Sequence, residues 1–303
     1  ELGHALGLQH SWSGGVMSTE ITRTTSKAAP LTLDDSIGLS ILYPAQSFRK
    51  NMVSITGRVM LGNSGVHLAS VTALTANGPA VSTLTGLDGT YKLEGLPAGY
   101  YYLHVQPLPP ALQGEAQPVN LVLPTDPANP EQLLLPGTNF NAQFYPGTTA
   151  PQLAIHLGSA DGDERFNFFV SARDRVNLHS VQTYTFFGQE AIKPATMVPG
   201  AGISPMILYG YGMSTGTAPM PGLGVSLLDA KESIAPGGVK AYAYGPAYIQ
   251  LDIQKSAESL PGHRHLLFSL NGETHLVPSA LRIQAKQAPV ITTLTPNADG
   301  TLT

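Results

Sequence analysis

The chain has 303 residues, enough for two or three domains with their own hydrophobic cores. Hydrophobic residues make up 42% of it, charged residues 12%, and the formal net charge is −4, so the composition indicates a globular protein and argues against nucleic acid or an anionic membrane as its partner. The absence of cysteine excludes disulfides, thiolate metal sites and a cysteine nucleophile.

The first 50 residues carry the helical signals. The opening sequence ELGHALGL is typical of the end of a helix that stops at Gly7. Further along, LTLDDSIGLSILYP predicts a complete short helix, which Thr32 can cap and a proline ends. Asp34 and Asp35 lie in its first turn, where carboxylates favour the positive end of the helix dipole.

Charged and imidazole side chains recur at a regular spacing in the opening sequence. Glu1 and His4 are three residues apart and would share one face of a helix. Gly7 can adopt a positive φ, so the chain can double back and return His10 to the site that His4 faces. Imidazoles around an ion, beside a carboxylate that can accept a proton from water, are typical of catalytic zinc. Such a site needs one more histidine, directly before Glu1.

These residues resemble a known zinc motif. The stretch is similar to HExxHxxGxxH of the metzincin peptidases without its first histidine. Ser11 follows the last histidine, as in the matrixin branch, and the Val-Met-Ser sequence around Met17 resembles the metzincin Met-turn. Residues 31–44 resemble the closing matrixin helix, so the resemblance covers about residues 1–44.

The resemblance implies a role for each matching residue. Glu1 would be the general base, His4 and His10 zinc ligands, and Met17 the apolar floor of the site. The implied reaction is peptide-bond hydrolysis by zinc-activated water. The first ligand and the N-terminal half of a matrixin domain are not in the sequence, so we expect a fragment that is inactive by itself.

The pattern beyond the N-terminal segment changes to short strands separated by Gly- and Pro-containing turns, as in a β-sandwich. Residues 53–106 resemble a carboxypeptidase regulatory-like (transthyretin-like) domain, most clearly in TLTGLDGTYKLEGLPAGYYYLHV. Alternation there predicts that Tyr91 and Leu93 point to one face of a strand and Lys92 and Glu94 to the other. The resemblance implies a structural or binding module.

Further strands are predicted between residues 165 and 288. Residues 195–288 resemble an immunoglobulin-like module of the IPT/TIG kind. The expected fold is multidomain and mainly β, a truncated α+β metzincin end followed by all-β sandwiches. The predicted units are residues 1–50 (peptidase end), 53–175 (regulatory-like sandwich), 190–288 (Ig-like sandwich) and 289–303 (the start of a further module).

Two clusters outside the opening motif could bind a metal. His263 and His265 alternate in a predicted strand, but a solvated strand start is the plainer interpretation. Asp161, Asp163 and Glu164 could bind calcium, although a polar turn is the commoner explanation for such residues.

Aromatic residues suggest two more contacts. Tyr100, Tyr101 and Tyr102 could stack on a carbohydrate, but packing within the sheets is the simpler interpretation. Trp12 could contact a substrate or pack beneath the helix.

We therefore expect part of a secreted or cell-envelope zinc metalloendopeptidase, with zinc as cofactor and calcium unsupported. Its substrate would be a protein or peptide, and its β domains would bind a cell-wall or matrix ligand or act as spacers. No run reaches the ~18 apolar residues of a membrane span. Several cysteine-free domains in series favour a bacterial exported protein. The alternative is a non-catalytic surface adhesion or structural protein built of Ig-like domains.

Overall fold

A computed structural model describes most of the chain. The described residues are 2–11, 16–17, 31–48, 52–76, 78, 80–108, 123–137, 139–151, 164–173, 179–185, 195–197, 201–211, 214–228, 234–245, 248–257 and 259–285.

The described N-terminal residues form two helices, α1 (Leu2–Ala5) and α2 (Leu33–Leu42). After α1 the chain turns at Gly7, whose φ is +91°. Thr32 caps α2 in a capping box: its hydroxyl accepts from the Asp35 amide, and the Asp35 carboxylate accepts from the Thr32 amide at 2.9 Å. The predicted second helix and its cap are confirmed.

Eleven strands follow α2 and build two sheets and a separate hairpin. They are β1 (Met52–Leu61), β2 (Ser64–Gly65), β3 (Ser70–Leu74), β4 (Val81–Leu84), β5 (Thr90–Pro97), β6 (Tyr102–Gln106), β7 (Thr125–Asp126), β8 (Asn129–Leu133), β9 (Gln143–Phe144), β10 (Glu164–Arg165) and β11 (Phe168–Val170).

Two of these sheets pack face to face and are called here the first sheet pair. In one, β1 pairs with β2 and β5 antiparallel and with β10 and β11 parallel; the other has the order β4-β3-β6-β9. Their shared core contains Val59, Val71, Leu103 and Phe168, all nearly inaccessible to solvent. Strands β7 and β8 form the separate hairpin.

The burial of β5 alternates as its sequence predicts. Tyr91 and Leu93 are buried in the first core, Lys92 is exposed and Glu94 is half-buried. The turn before this strand places Gly89 at a φ of +81°, which an L side chain rarely adopts.

Helix α2 packs on the first sheet pair. Ile37 belongs to the same hydrophobic core as β1, β3 and β5. Gly95 of β5 lies opposite, with a φ of +74°, and a Cβ there would lie 2.7 Å from the Phe48 ring. The helical segment and the first sheet pair therefore share one core.

Eight further strands follow in the described residues. They are β12 (His179–Thr185), β13 (Ala195–Met197), β14 (Gly202–Tyr211), β15 (Gly224–Leu227), β16 (Ile234–Gly245), β17 (Tyr248–Lys255), β18 (Gly262–Leu270) and β19 (Glu273–Ile283).

These strands form the second sheet pair. One sheet has the order β12-β14-β17-β16 and the other β13-β19-β18-β15. Buried side chains from both sheets meet in one core, among them Met206, Leu251, Phe268 and Leu281. The second sheet pair, like the first, thus has its own hydrophobic interior.

The two sheet pairs meet in a buried contact, called here the joint. Its apolar part consists of Leu74, Ala80, Tyr102, Phe144, Leu228, Leu267 and Leu276. The Gln106 side chain bridges the joint with two hydrogen bonds to the Leu276 backbone. Its amide oxygen accepts from Leu276 N at 2.9 Å, and its amide nitrogen donates to Leu276 O at 3.1 Å.

An ion pair also crosses the joint. The Arg173 guanidinium donates to both oxygens of Glu273, at 2.7 and 3.1 Å. The Glu273 side chain is inaccessible to solvent, and His275 lies against the same carboxylate. A buried bidentate pair of this kind fixes the relative position of the strands that carry it.

The described chain is mainly β and contains several sheets, as the sequence predicts. Neither α1 nor α2 is long and apolar enough to cross a membrane. The predicted metzincin end and the domain boundaries remain predictions.

Candidate metal centre

The turn at Gly7 brings the two predicted zinc ligands together. His4 lies on α1, and Gly7 N donates to His4 O at 2.9 Å as the helix closes. The His4 and His10 ring centroids are 4.6 Å apart, with an angle of 72° between the ring planes. His4 is exposed and His10 is half-buried, so a ligand can reach both rings from solvent.

Backbone carbonyls orient both rings. His4 Nδ1 lies 2.9 Å from Leu8 O, and His10 Nδ1 lies 3.3 Å from Met17 O. A carbonyl only accepts, so each Nδ1 carries the proton and each Nε2 keeps its lone pair. This is the arrangement in which an imidazole binds a metal through Nε2.

Met17 contacts this segment through its backbone oxygen at His10 and its side chain against Gly3 of α1. Its side chain is buried, with 8% of its surface exposed. A Cβ on Gly3 would overlap the Met17 sulfur, so the Met17 side chain packs directly against α1 at this glycine. Met17 O also accepts from Ser11 N at 2.7 Å, which joins the Met17 turn to the residue after His10.

Asp35 holds the Met17 turn in place. Its buried carboxylate accepts from Val16 N and Met17 N, each at 3.0 Å, besides the Thr32 contacts that cap α2. In the sequence alone, this carboxylate has a role only at the helix dipole. The structure adds a contact to a segment 18 residues away, which no local pattern predicts.

Asp34 connects the His10 loop to the first sheet pair. One of its oxygens accepts from the Ser11 hydroxyl at 2.6 Å, and the other from Ser82 N of β4 at 2.9 Å. The sequence analysis did not identify either contact.

A cavity of about 300 Å³ lies between the His10 loop, α2 and the first sheet pair. Ile37, Val81 and Leu93 form part of its largely apolar wall. Its volume is at the lower end of the range for small-ligand sites. An apolar space therefore lies next to the two histidines.

The other residues predicted around the site are not all described. Glu1, Trp12, Asp161 and Asp163 lie outside the described residues, and Glu164 is described only through its backbone in β10. Within the described ranges, no group of three or more His, Asp or Glu side chains that could hold a metal comes together.

The donor set that is described fits zinc as part of a site. The two imidazole rings are neighbours, and each has its Nδ1 on a carbonyl, which leaves Nε2 for a metal that prefers nitrogen ligands. A catalytic zinc site has three protein ligands, of which His4 and His10 would supply two.

The two residues of the second histidine pair differ: His263 is half-buried at the start of β18, whereas His265 lies in the interior. His265 is fully buried rather than solvated, and both its ring nitrogens are engaged: Nε2 donates to Thr75 O at 3.0 Å and Nδ1 accepts from Ser279 N at 2.8 Å. No lone pair is left for a metal. Burial lowers the pKa of His265 to about 4, so the ring is neutral and belongs to the joint.

The tyrosine run divides between surface and interior. Tyr100 is 69% exposed, whereas Tyr101 and Tyr102 are buried, as the packing interpretation predicts for them. The Tyr101 hydroxyl donates to Pro97 O at 2.6 Å, and Tyr102 packs in the joint. One exposed ring does not form the predicted stacking platform.

His104 is a joint residue that sequence analysis did not identify. It is fully buried, and its Nε2 donates to Thr274 O at 2.7 Å. Burial lowers its pKa to about 3. Its position in a β-rich, apolar stretch gave no signal, because its partner is 170 residues away.

Comparisons with known proteins identify no family for this chain. No family model and no curated protein matches it. Among solved structures, it is similar to a putative carbohydrate binding protein from Bacteroides uniformis, at 10% identity and a TM-score of 0.23, over 74% of this chain and 98% of that one. It is also similar to BcpA, the major pilin subunit of Bacillus cereus, at 8% identity and a TM-score of 0.20, over 77% of this chain and 69% of that one. Likeness at this level assigns neither a fold nor a function.

Proposed function

We propose that residues 1–44 are the zinc-binding end of a metalloendopeptidase of the metzincin type, matrixin branch. The observation that carries the proposal is the proximity of the His4 and His10 rings, with centroids 4.6 Å apart and both Nδ1 atoms on backbone carbonyls, which leaves both Nε2 atoms to bind a metal. The Met17 floor and the Asp35 contacts beneath it support the same interpretation.

Each residue has a definite task in this proposal. His4 and His10 bind zinc through Nε2, and Met17 excludes water from beneath the rings. Zinc, when bound, supplies a Lewis acid that activates water and polarises the scissile carbonyl. Glu1 accepts the proton of the attacking water and passes it to the leaving amine, so that a peptide bond is hydrolysed. Hydrolysis would require a third protein ligand besides His4 and His10.

The β domains are proposed as accessory modules of a secreted or cell-envelope protein, bacterial in origin. A cysteine-free composition agrees with this location. The first sheet pair would be the regulatory-like module and the second the Ig-like module, binding a cell-wall or matrix ligand or acting as spacers. The substrate would be a protein or peptide.

Zinc titration by calorimetry tests the proposal. The wild-type chain is expected to bind zinc, and the double variant His4→Ala/His10→Ala to bind it at least tenfold more weakly. His67→Ala is the matched control, because His67 Nδ1 also lies on a backbone carbonyl, Leu135 O at 3.3 Å. Equal affinity in the wild type and the double variant, or no binding by the wild type, would overturn the proposal.

A non-catalytic structural or adhesion protein is the second candidate, and the joint favours it. Gln106, Glu273 and His104 tie two sheet pairs together through buried polar contacts, as a rigid spacer requires. A wild-type chain that does not bind zinc but keeps one cooperative unfolding transition would support this candidate over the peptidase.

A further inference from the structure

The loop that carries His10 is anchored on both sides. On one side, Met17 O lies at His10 Nδ1 and is fixed by the Asp35 contacts to the Met17 turn. On the other side, Ser11 directly follows His10 and donates its hydroxyl to Asp34 at 2.6 Å. Asp34 and Asp35 thus act on the same histidine from different directions.

The second anchor extends into the first sheet pair. Strand β4 lies at the edge of its sheet, and Ser82 N donates to Asp34 at 2.9 Å. A hydrogen bond to a carboxylate is shorter and stronger than one between neutral groups. Because α2 itself packs through Ile37 into the first core, Asp34 has a fixed position between β4 and the His10 loop.

We infer that Asp34 is a positioning residue through which the first sheet pair holds the His10 loop in its metal-binding arrangement. The sheet pair is then a structural part of the metal site rather than a separate attachment. The positioning of His10 stands on the contacts alone, and its consequence for zinc rests on the proposed function.

The inference distinguishes the two aspartates. Loss of the Asp34 carboxylate removes the side-chain anchor of Ser11, while Asp35 still holds Met17 and, through it, the Ser11 backbone. The His10 ring should then sample orientations in which Nδ1 no longer faces Met17 O. Support by residues behind a metal ligand typically changes metal affinity by about 10- to 100-fold.

Nuclear magnetic resonance of the metal-free protein tests the inference without relying on zinc. Long-range ¹H–¹⁵N spectra at alkaline pH report which ring nitrogen of a neutral histidine carries the proton. The wild type is expected to show His10 as a single Nδ1–H tautomer. Asp34→Ala is expected to show a mixture of tautomers at His10 and unchanged signals for His67.

A second set of variants removes the partner instead of the carboxylate. Ser82→Pro deletes the N–H that Asp34 binds, at an edge strand where proline is tolerated. It is expected to change the His10 signals in the same direction as Asp34→Ala. Ser82→Ala keeps the N–H and is the matched control, expected to leave them unchanged. Ser11→Ala removes only the hydroxyl and is expected to change the His10 signals as Asp34→Ala does. It replaces Asp34→Ala in the test if that variant does not fold.

Zinc titration of the same variants separates the two proposals. Asp34→Ala is expected to bind zinc about tenfold more weakly than the wild type. Altered His10 tautomers in a protein whose wild type does not bind zinc would uphold the positioning role and overturn the peptidase proposal. Identical His10 signals in the wild type, Asp34→Ala and Ser82→Pro would overturn the positioning role, whatever zinc does.

Discussion

Replacing Asp35 with alanine should release the Met17 turn from α2. The carboxylate is 5% exposed and accepts from three backbone amides, those of Val16, Met17 and Thr32, at 2.9–3.0 Å. An amide left without a partner in a buried place costs about 1–3 kcal/mol, and loss of a helix cap costs about 1 kcal/mol. Because water can reach part of the vacated space, we expect the substitution to lower the free energy of opening of the Met17 turn by about 3 kcal/mol.

Hydrogen exchange at the Met17 amide measures this loss directly. A local opening made easier by about 3 kcal/mol accelerates exchange by roughly 100-fold. Ser36→Ala is the matched control, since the Ser36 hydroxyl also lies in the first turn of α2 but donates to Thr32 O on the exposed side. It should change exchange by less than about threefold. If the Met17 amide exchanged equally slowly in Asp35→Ala and in the wild type, the Asp35 carboxylate would not be what holds the Met17 turn.

Three further predictions concern the sheet pairs. Burial lowers the pKa values of His104 and His265 to about 3 and 4, below that of an unfolded histidine, so the unfolded chain takes up protons first as the pH falls. The free energy of unfolding should therefore decrease below about pH 6.5, by roughly 1.4 kcal/mol per pH unit for each histidine; denaturant titrations showing no decrease between pH 7 and 5 would contradict this. Glu273→Gln leaves a buried guanidinium without its ionic partner and should lower the free energy of unfolding by about 3 kcal/mol in the same assay, and a loss below 1 kcal/mol would count against the ion pair. Gly57→Ala places a methyl group onto Phe166 O, so it should separate β1 from the chain beside it and lower the melting temperature by several degrees, and an unchanged melting temperature would contradict the close approach.

Local patterns explain why much of the fold could be predicted. Some features depend only on residues a few positions away in the sequence. Examples are the capping of α2, the positive φ at Gly7 and the alternation of buried side chains in β5. Strands β1, β3, β5 and β6 appear where β-branched and aromatic runs lie between turn sequences. These features need no knowledge of distant parts of the chain.

The sequence signal was incomplete for two strands of the second sheet pair, β16 and the first half of β19. In β16 (Ile234–Gly245) a proline and two glycines hide a strand whose ladder to β17 contains register shifts. Strand β19 begins at Glu273, directly after Asn271 and Gly272, whose φ values are +50° and +80°. An Asn-Gly pair between apolar runs is a strong hairpin signal, so this boundary was present in the sequence.

Long-range contacts account for what the sequence did not predict. The joint depends on pairs such as Gln106 with Leu276 and Arg173 with Glu273, which are 170 and 100 residues apart. The hydrogen bond from Ser82 N to the Asp34 carboxylate depends on how α2 packs against an edge strand. Single-sequence patterns carry no information about such pairings, which arise only when the elements pack together.

X-ray absorption spectroscopy of the zinc-loaded chain tests the central claim most directly, because it identifies the atoms that bind the metal. The account predicts imidazole ligands to zinc in the wild type, and their loss in the His4→Ala/His10→Ala variant. A spectrum without imidazole ligands, or one that the double substitution leaves unchanged, would contradict it.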